Sequence, residues 1–169
     1  MVESVREATI ERLFESAIDI ELAAADIYKR LSELFSHEPE LHVFWRGLFD
    51  DEVRHATTLR NVLGTLTPEQ LLLPPDTEMW NSVVRIQRMF GKDLVGPIDT
   101  LDAAYELAHD LEFSEVNAIF KFLAGEFVPS EERRRFVHSE IVQHLQKLSD
   151  FNDKFGNKDW RKGIKIRLS

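Results

Sequence analysis

Four stretches of this chain carry apolar residues at the three- and four-residue spacing of a single helix face. The first runs from about Ser4 to Phe35, with the stripe Phe14, Ala17, Ile18, Ala24, Ala25, Tyr28, Leu31 and Phe35. The second runs from about Pro39 to Leu63, with Leu41, Phe44, Trp45, Leu48, Leu59 and Val62. Ser36-His37-Glu38-Pro39 separates them, because proline fits a first helical turn and not an interior. Gly64 suits a C-terminal cap. Residues 64–99 then break the period: Gly64, Pro68, Pro74, Pro75, Gly91, Gly96 and Pro97 all fall there, with one short helix predicted at Thr77–Phe90. A third helix is predicted over Thr100–Phe127 and, after Pro129-Ser130, a fourth over Ser130–Phe155, ended by Gly156. No segment alternates apolar and polar residues long enough to predict a strand.

The layout is helix pair, long connection, helix pair. Short links make antiparallel neighbours, and a long link between the second and third helices lets the chain travel the length of a bundle. The expected fold is therefore all-α, an antiparallel four-helix bundle with ferritin-like connectivity. It occupies residues 1–156, with a crossover at 64–99 and a basic tail at 157–169 that carries Lys158, Arg161, Lys162, Lys165 and Arg167.

Polar residues interrupt each stripe near its middle. In the first helix the heptad series Phe14, Glu21, Tyr28, Phe35 sets a glutamate among aromatics. The second holds Glu52 and His55, the third Glu112 and Glu115, and the fourth Glu140 and His144. Mid-helix positions of an antiparallel bundle lie at one level, so these groups are expected to converge. An isolated ionised carboxylate in a dry interior is too costly to persist; it protonates, finds a partner or binds a cation. No Lys or Arg occupies these positions. Glu and His three or four residues apart leave the same helix face and can reach one site.

Composition narrows the chemistry. The 169 residues, 43% apolar, suffice for one domain with its own core. A net charge of −9 argues against nucleic acid as a partner. With no cysteine, disulfides, thiolate metal sites and a cysteine nucleophile are excluded. Oxygen and imidazole donors without sulfur suit iron or manganese, and zinc less exclusively. No apolar run is long enough to span a bilayer, and Met1–Ala17 lacks the apolar core and cleavage site of a signal peptide. A cytoplasmic protein away from membranes is the expectation.

The segments ELAAADIY, DDEVRHATTL, HDLEFSEVNAIF and HSEIVQHLQKL carry a resemblance over about residues 10–155. Together the chain resembles the rubrerythrin-like branch of the ferritin-like superfamily. The resemblance implies two iron ions held by Glu21, Glu52, His55, Glu112, Glu115, Glu140 and a fourth-helix residue. Glu115 would be the extra carboxylate that sets rubrerythrins apart from plain ferritins. The family places His three residues after the fourth-helix Glu, where this chain has Gln143; His144 stays on the apolar stripe, and either residue is left as the candidate. The implied function is a di-iron oxidoreductase that reduces peroxide or dioxygen. Without cysteine it carries no rubredoxin-like module and takes electrons from an external donor. Iron oxidation and storage, or a helical interaction protein with a degenerate site, are the alternatives. A homo-oligomer, at least a dimer, is expected from the aromatic content of the helices.

Other residues take plainer readings. Glu106 and His109 repeat the Glu-x-x-His spacing on a different face of the third helix and read as a decoy. His37, His42 and His138 read as surface or capping groups; Tyr28 and Tyr105 read as packing residues, with hydrogen bonding to ligands or proton donation as the alternative, and Trp45 and Trp80 as core or interface residues.

Overall fold

The computed structural model describes residues 8–90, 98–128 and 130–155. All its regular elements are helices: α1 (Ile10–Leu34), α2 (Pro39–Leu63), α3 (Pro68–Leu71), α4 (Thr77–Phe90), α5 (Leu101–Glu112), α6 (Val116–Glu126) and α7 (Glu131–Phe155). The first helix begins later than the pattern suggests. Thr9 lies in extended backbone and its side chain accepts a hydrogen bond from the Arg12 amide at 3.3 Å, which sets the start at Ile10; residues 4–7 lie outside the described segments. Proline opens α2 and Gly64 caps it, as expected. The connection holds one more helical turn than predicted, α3, where Thr67 and Gln70 form a reciprocal capping box. Gly156 and the basic tail lie outside the described residues.

The predicted third helix is broken. Ser114 Oγ donates to the Leu111 carbonyl at 2.5 Å, and the Asn117 amide donates to the Glu112 carbonyl at 2.8 Å. Such side-chain bonds offer the backbone an alternative to the helical ladder. The chain therefore leaves helix at Phe113 and re-enters it at Val116.

Two apolar clusters form the interior. One gathers Leu13, Phe14, Ala17 and Ile20 from α1 with Ala56, Leu59 and Val62 from α2, Val83 and Ile86 from α4, Ile119, Phe120 and Leu123 from α6, and Val137 and Ile141 from α7. The other gathers Ile27, Tyr28 and Leu31 with Leu41, Trp45 and Leu48, Leu101, Ala104, Ala108 and Leu111 from α5, and Leu148, Phe151 and Phe155. Thus α1 and α7 run from the first cluster to the second, while α2, and α5 followed by α6, run the other way. Each chain segment crosses a buried polar layer between the clusters: Glu21 on α1, Asp51, Glu52 and His55 on α2, Glu112 at the end of α5, and His144 on α7. Fully buried large apolar side chains such as Trp45, Phe14 and Phe120 each contribute about 1.5–3 kcal/mol, and this is what holds a charged layer out of water. Among the described residues, no helix is long and apolar enough to cross a membrane.

Candidate metal centre

Two triads of ligating side chains meet in the polar layer. Glu21, Glu52 and His55 form one; Glu52, Glu112 and His144 form the other; within each, one ligand atom per residue lies within 4.8 Å of the rest. Helix geometry explains the delivery. Glu52 and His55 are three residues apart on α2, and their side chains share a face. Glu21 lies one heptad before Tyr28 on the buried face of α1. Glu52 belongs to both triads. Its Oε2 lies 3.1 Å from His55 Nδ1, and its Oε1 lies 3.1 Å from His144 Nε2. Glu112 Oε2 lies 2.6 Å from the same His144 nitrogen. Among the described residues Glu21 Oε2 makes no hydrogen bond, and it stands 3.7 Å from His55 Nδ1. The two imidazoles face each other edge to plane at 5.3 Å.

A second layer of contacts orients only part of this set. His144 Nδ1 donates to Asp51 Oδ2 at 2.9 Å, and the same oxygen accepts from Lys147 Nζ at 2.5 Å. Arg54 pairs with the other Asp51 oxygen. A carboxylate on one ring nitrogen fixes the tautomer and leaves the other nitrogen facing the site. Glu112 is held by the Tyr28 hydroxyl at Oε1 and by the Asn117 amide at Oε2, 2.9 Å away. His55 is held by its ring, which stacks on Phe120 at 4.2 Å.

Burial and neighbouring charges shift the titration of these groups in opposite directions. Burial raises the Glu21 carboxyl to about 8, and the nearby Glu52 charge adds to the shift while His55 opposes it. Burial would lower both imidazoles, but their carboxylate partners win: His55 rises to about 9 through Glu21 and Glu52, and His144 to about 12 through Asp51, Glu112 and Glu52. Burial would likewise raise Glu52, yet its bonds to the two imidazoles hold it below the usual carboxylate range. Asp51 sits at about 2, where His144 and Lys147 outweigh its burial.

Five of the seven expected ligands come together: Glu21, Glu52, His55, Glu112 and His144. The choice on α7 falls to His144, which is buried, while Gln143 is exposed on an uninterrupted helix. Glu115 is not brought into the cluster. The break after Glu112 turns it outward, where Arg85 of α4 donates to it from Nη2 at 2.6 Å and from Nε at 3.2 Å. Glu140 also stays outside, on the rim, 3.5 Å from Arg54 Nε. Glu106 and His109 are exposed. The reading from sequence missed Asp51 and Asn117. Asp51 directly precedes Glu52, and a carboxylate beside a mid-stripe ligand was the available signal. Tyr28, read as a packing residue with a hydrogen bond to a ligand as the alternative, does both: it packs and bonds Glu112.

The donor set fits a cation: three carboxylates and two imidazoles in a dry layer and, among the described residues, one carboxylate oxygen without a hydrogen bond and no Lys or Arg paired with Glu21, Glu52 or Glu112. Compared with known protein families, curated proteins and solved structures, the chain matches none. The site's chemistry therefore rests on its own geometry.

Proposed function

We propose that this chain is a ferritin-like four-helix-bundle protein that holds two iron ions and reduces peroxide or dioxygen, with electrons from an external donor. The observation that carries the reading is Glu52, whose two oxygens each lie 3.1 Å from a different imidazole. One carboxylate shared by two triads is an arrangement that suits a pair of ions. The direction of the helices through the two apolar clusters, with α4 in the connection between α2 and α5, supports ferritin-like connectivity. Oxygen and nitrogen donors suit iron or manganese, and zinc can compete for the same site.

Glu21, Glu52 and His55 would hold one ion, and Glu52, Glu112 and His144 the other. Two bound Fe(II) ions would supply one electron each, so that hydrogen peroxide and two protons give two waters. The chain's own part is to keep the centre dry between the apolar clusters. It also fixes His144 through Asp51 and orients Glu112 through Tyr28 and Asn117.

Iron oxidation and storage is a second reading, favoured by Glu115. Its pairing with Arg85 leaves the centre without the extra carboxylate that a rubrerythrin-like site implies. Anaerobic titration with Fe(II) should saturate at two ions per chain. The loaded, reduced protein mixed with peroxide in a stopped-flow instrument should oxidise far faster than free Fe(II). Equal rates overturn the oxidoreductase reading. Sedimentation separates the alternatives, because storage requires a many-subunit cage and peroxide reduction does not.

A further inference from the structure

We infer that the basic segment after α7 folds back on the bundle and seats Trp160 in a groove between the start of α2 and the end of α7. The groove is an open cavity of about 280 Å³. Val43, Phe44, Phe151 and Phe155 form its apolar lining, and Glu40, Lys147, Asp150 and Lys154 its charged one. Val43 is 69% exposed there. Sites for whole small molecules usually enclose about 300–1,000 Å³, so this groove is sized for one or two side chains. An indole offers large, rigid apolar area, which is what an anchor in such a groove needs.

Reach favours this occupant. Phe155 is both the last residue of α7 and part of the lining, so the chain that follows starts at the lip of the groove. Gly156 comes next, and glycine is the residue with which a helix end most readily reverses the chain. The α7 residues of the lining run from Lys147 to Phe155, about 12 Å of helix at roughly 1.5 Å per residue. The five steps from Phe155 to Trp160 extend to about 17 Å, so the indole can reach any part of that length. A segment tethered at the lip binds as an intramolecular partner, at an effective concentration on the order of millimolar; a second copy of the chain has no such advantage.

Charge favours it too. Residues 157–169 carry Lys158, Arg161, Lys162, Lys165 and Arg167 against Asp159, a net +4; with −9 for the whole chain, residues 1–156 carry −13. Opposite net charges draw the segment onto the bundle. The lysines of the groove oppose it little, because both face carboxylates: Lys147 Nζ donates to Asp51 Oδ2 at 2.5 Å, and Lys154 Nζ lies 3.4 Å from Glu40 Oε2. Asp150 accepts from Gln146 Nε2 at 2.8 Å. A carboxylate has about four acceptor sites, so Asp150 and Glu40 keep capacity for Arg161 and Lys162, the neighbours of Trp160.

The test uses the full chain and needs no metal, so its result is independent of the oxidoreductase reading. 5-Fluorotryptophan labels the three tryptophans, and Trp160→Phe identifies the Trp160 resonance by fluorine NMR. That resonance should lie away from its position in a synthetic peptide of residues 157–169. A soluble gadolinium chelate should broaden it several-fold less than it broadens the peptide. Val43→Lys changes an exposed helix position, sets a cation in the groove and should return the resonance to the peptide position. Arg161→Glu with Lys162→Glu, which changes no residue of the described helices, should move it the same way. Leu72→Lys, at a side chain 71% exposed beside α3, should leave it unmoved. Thermal melts followed by circular dichroism confirm that each variant is folded. Coincidence of the full-chain and peptide resonances overturns the docking, as does a resonance that neither Val43→Lys nor the charge reversal moves. A displaced resonance that returns to the peptide position on dilution shows that the groove takes the segment of another copy, and overturns the fold-back.

Discussion

On the α5–α7 side of Glu52, neighbours orient every ligand. Tyr28 and Asn117 grip Glu112, and Asp51, itself held by Lys147 and Arg54, grips His144. On the α1 side, Glu21 has an oxygen with no hydrogen bond among the described residues, and His55 rests on the face of Phe120. The two sides share a carboxylate and a dry environment, yet one is braced by polar side chains around its ligands and the other by a ring contact and the shared Glu52. A preorganised ligand set keeps its geometry without the ion; a loose one must gain it on binding. The α5–α7 position should fill first and empty last.

The strongest way to break the comparison is to remove what the sides share. Glu52→Ala should abolish tight binding at both positions, so that anaerobic iron titration shows no saturable uptake instead of two ions per chain. Loss of one ion only would show that the triads are independent.

Acidity acts on both sides, with different steepness. Glu21 and His55 hold protons up to about pH 8 and 9, and His144 up to about 12. An entering ion must expel them, so below about pH 8 affinity should weaken by about a hundredfold per pH unit on the α1 side, where two protons leave, and by about tenfold on the α5–α7 side, where His144 loses one. The sign reverses for the metal-free fold. Glu21 and His55 are raised above their unfolded values of 4.5 and 6.5. Their contribution to stability is complete below those unfolded values and is lost as pH rises through 8 and 9. Metal-free protein should therefore melt at lower temperature at pH 9 than at pH 6.5. Saturating metal should reverse the trend.

Asp51→Asn sharpens the contrast by loosening the α5–α7 side alone. Apparent affinity at the α5–α7 position should fall roughly 10–100-fold, the usual cost of removing a carboxylate behind a ligating histidine. The other position should be spared. Competition titration against a chromophoric chelator reads both.

The smallest effects concern the metal-free fold. Glu112→Gln breaks a gripped carboxylate and should destabilise by about 1–3 kcal/mol in urea unfolding. Glu21→Gln replaces a carboxyl that is already protonated at neutral pH with an amide of the same shape, and should change stability by less than about 1 kcal/mol. Equal losses for the two would erase the distinction between the sides. Glu115→Gln should leave metal stoichiometry unchanged, since Arg85 holds that side chain away from the centre.

Much of this was legible along the chain. Glu21, Glu52, His55, Glu112 and His144 break apolar stripes whose period is local, and a residue's place on a helix face follows from 3.6 residues per turn. The same argument preferred His144 to Gln143 on the stripe, and the burial of the two residues agrees. Glu115 shows where periodicity stops. Its place on the core face presumed one continuous helix, and the Ser114 and Asn117 bonds that end α5 at Glu112 change the phase of all that follows. Glu140 shows a second limit. It lies four residues before a buried ligand, yet Arg54 from another helix holds it at the rim.

The sequence by itself determined the four main helical stretches, their apolar faces and the level at which acids and imidazoles interrupt them, because each depends on neighbours within a turn or two, though not the break between α5 and α6. Only the tertiary structure decided which of those groups meet. Asp51 reaches His144 across 93 positions of chain, and Tyr28 reaches Glu112 across 84. Contacts of that separation arise from how one rod packs on another, and helical spacing within a single rod carries no information about them.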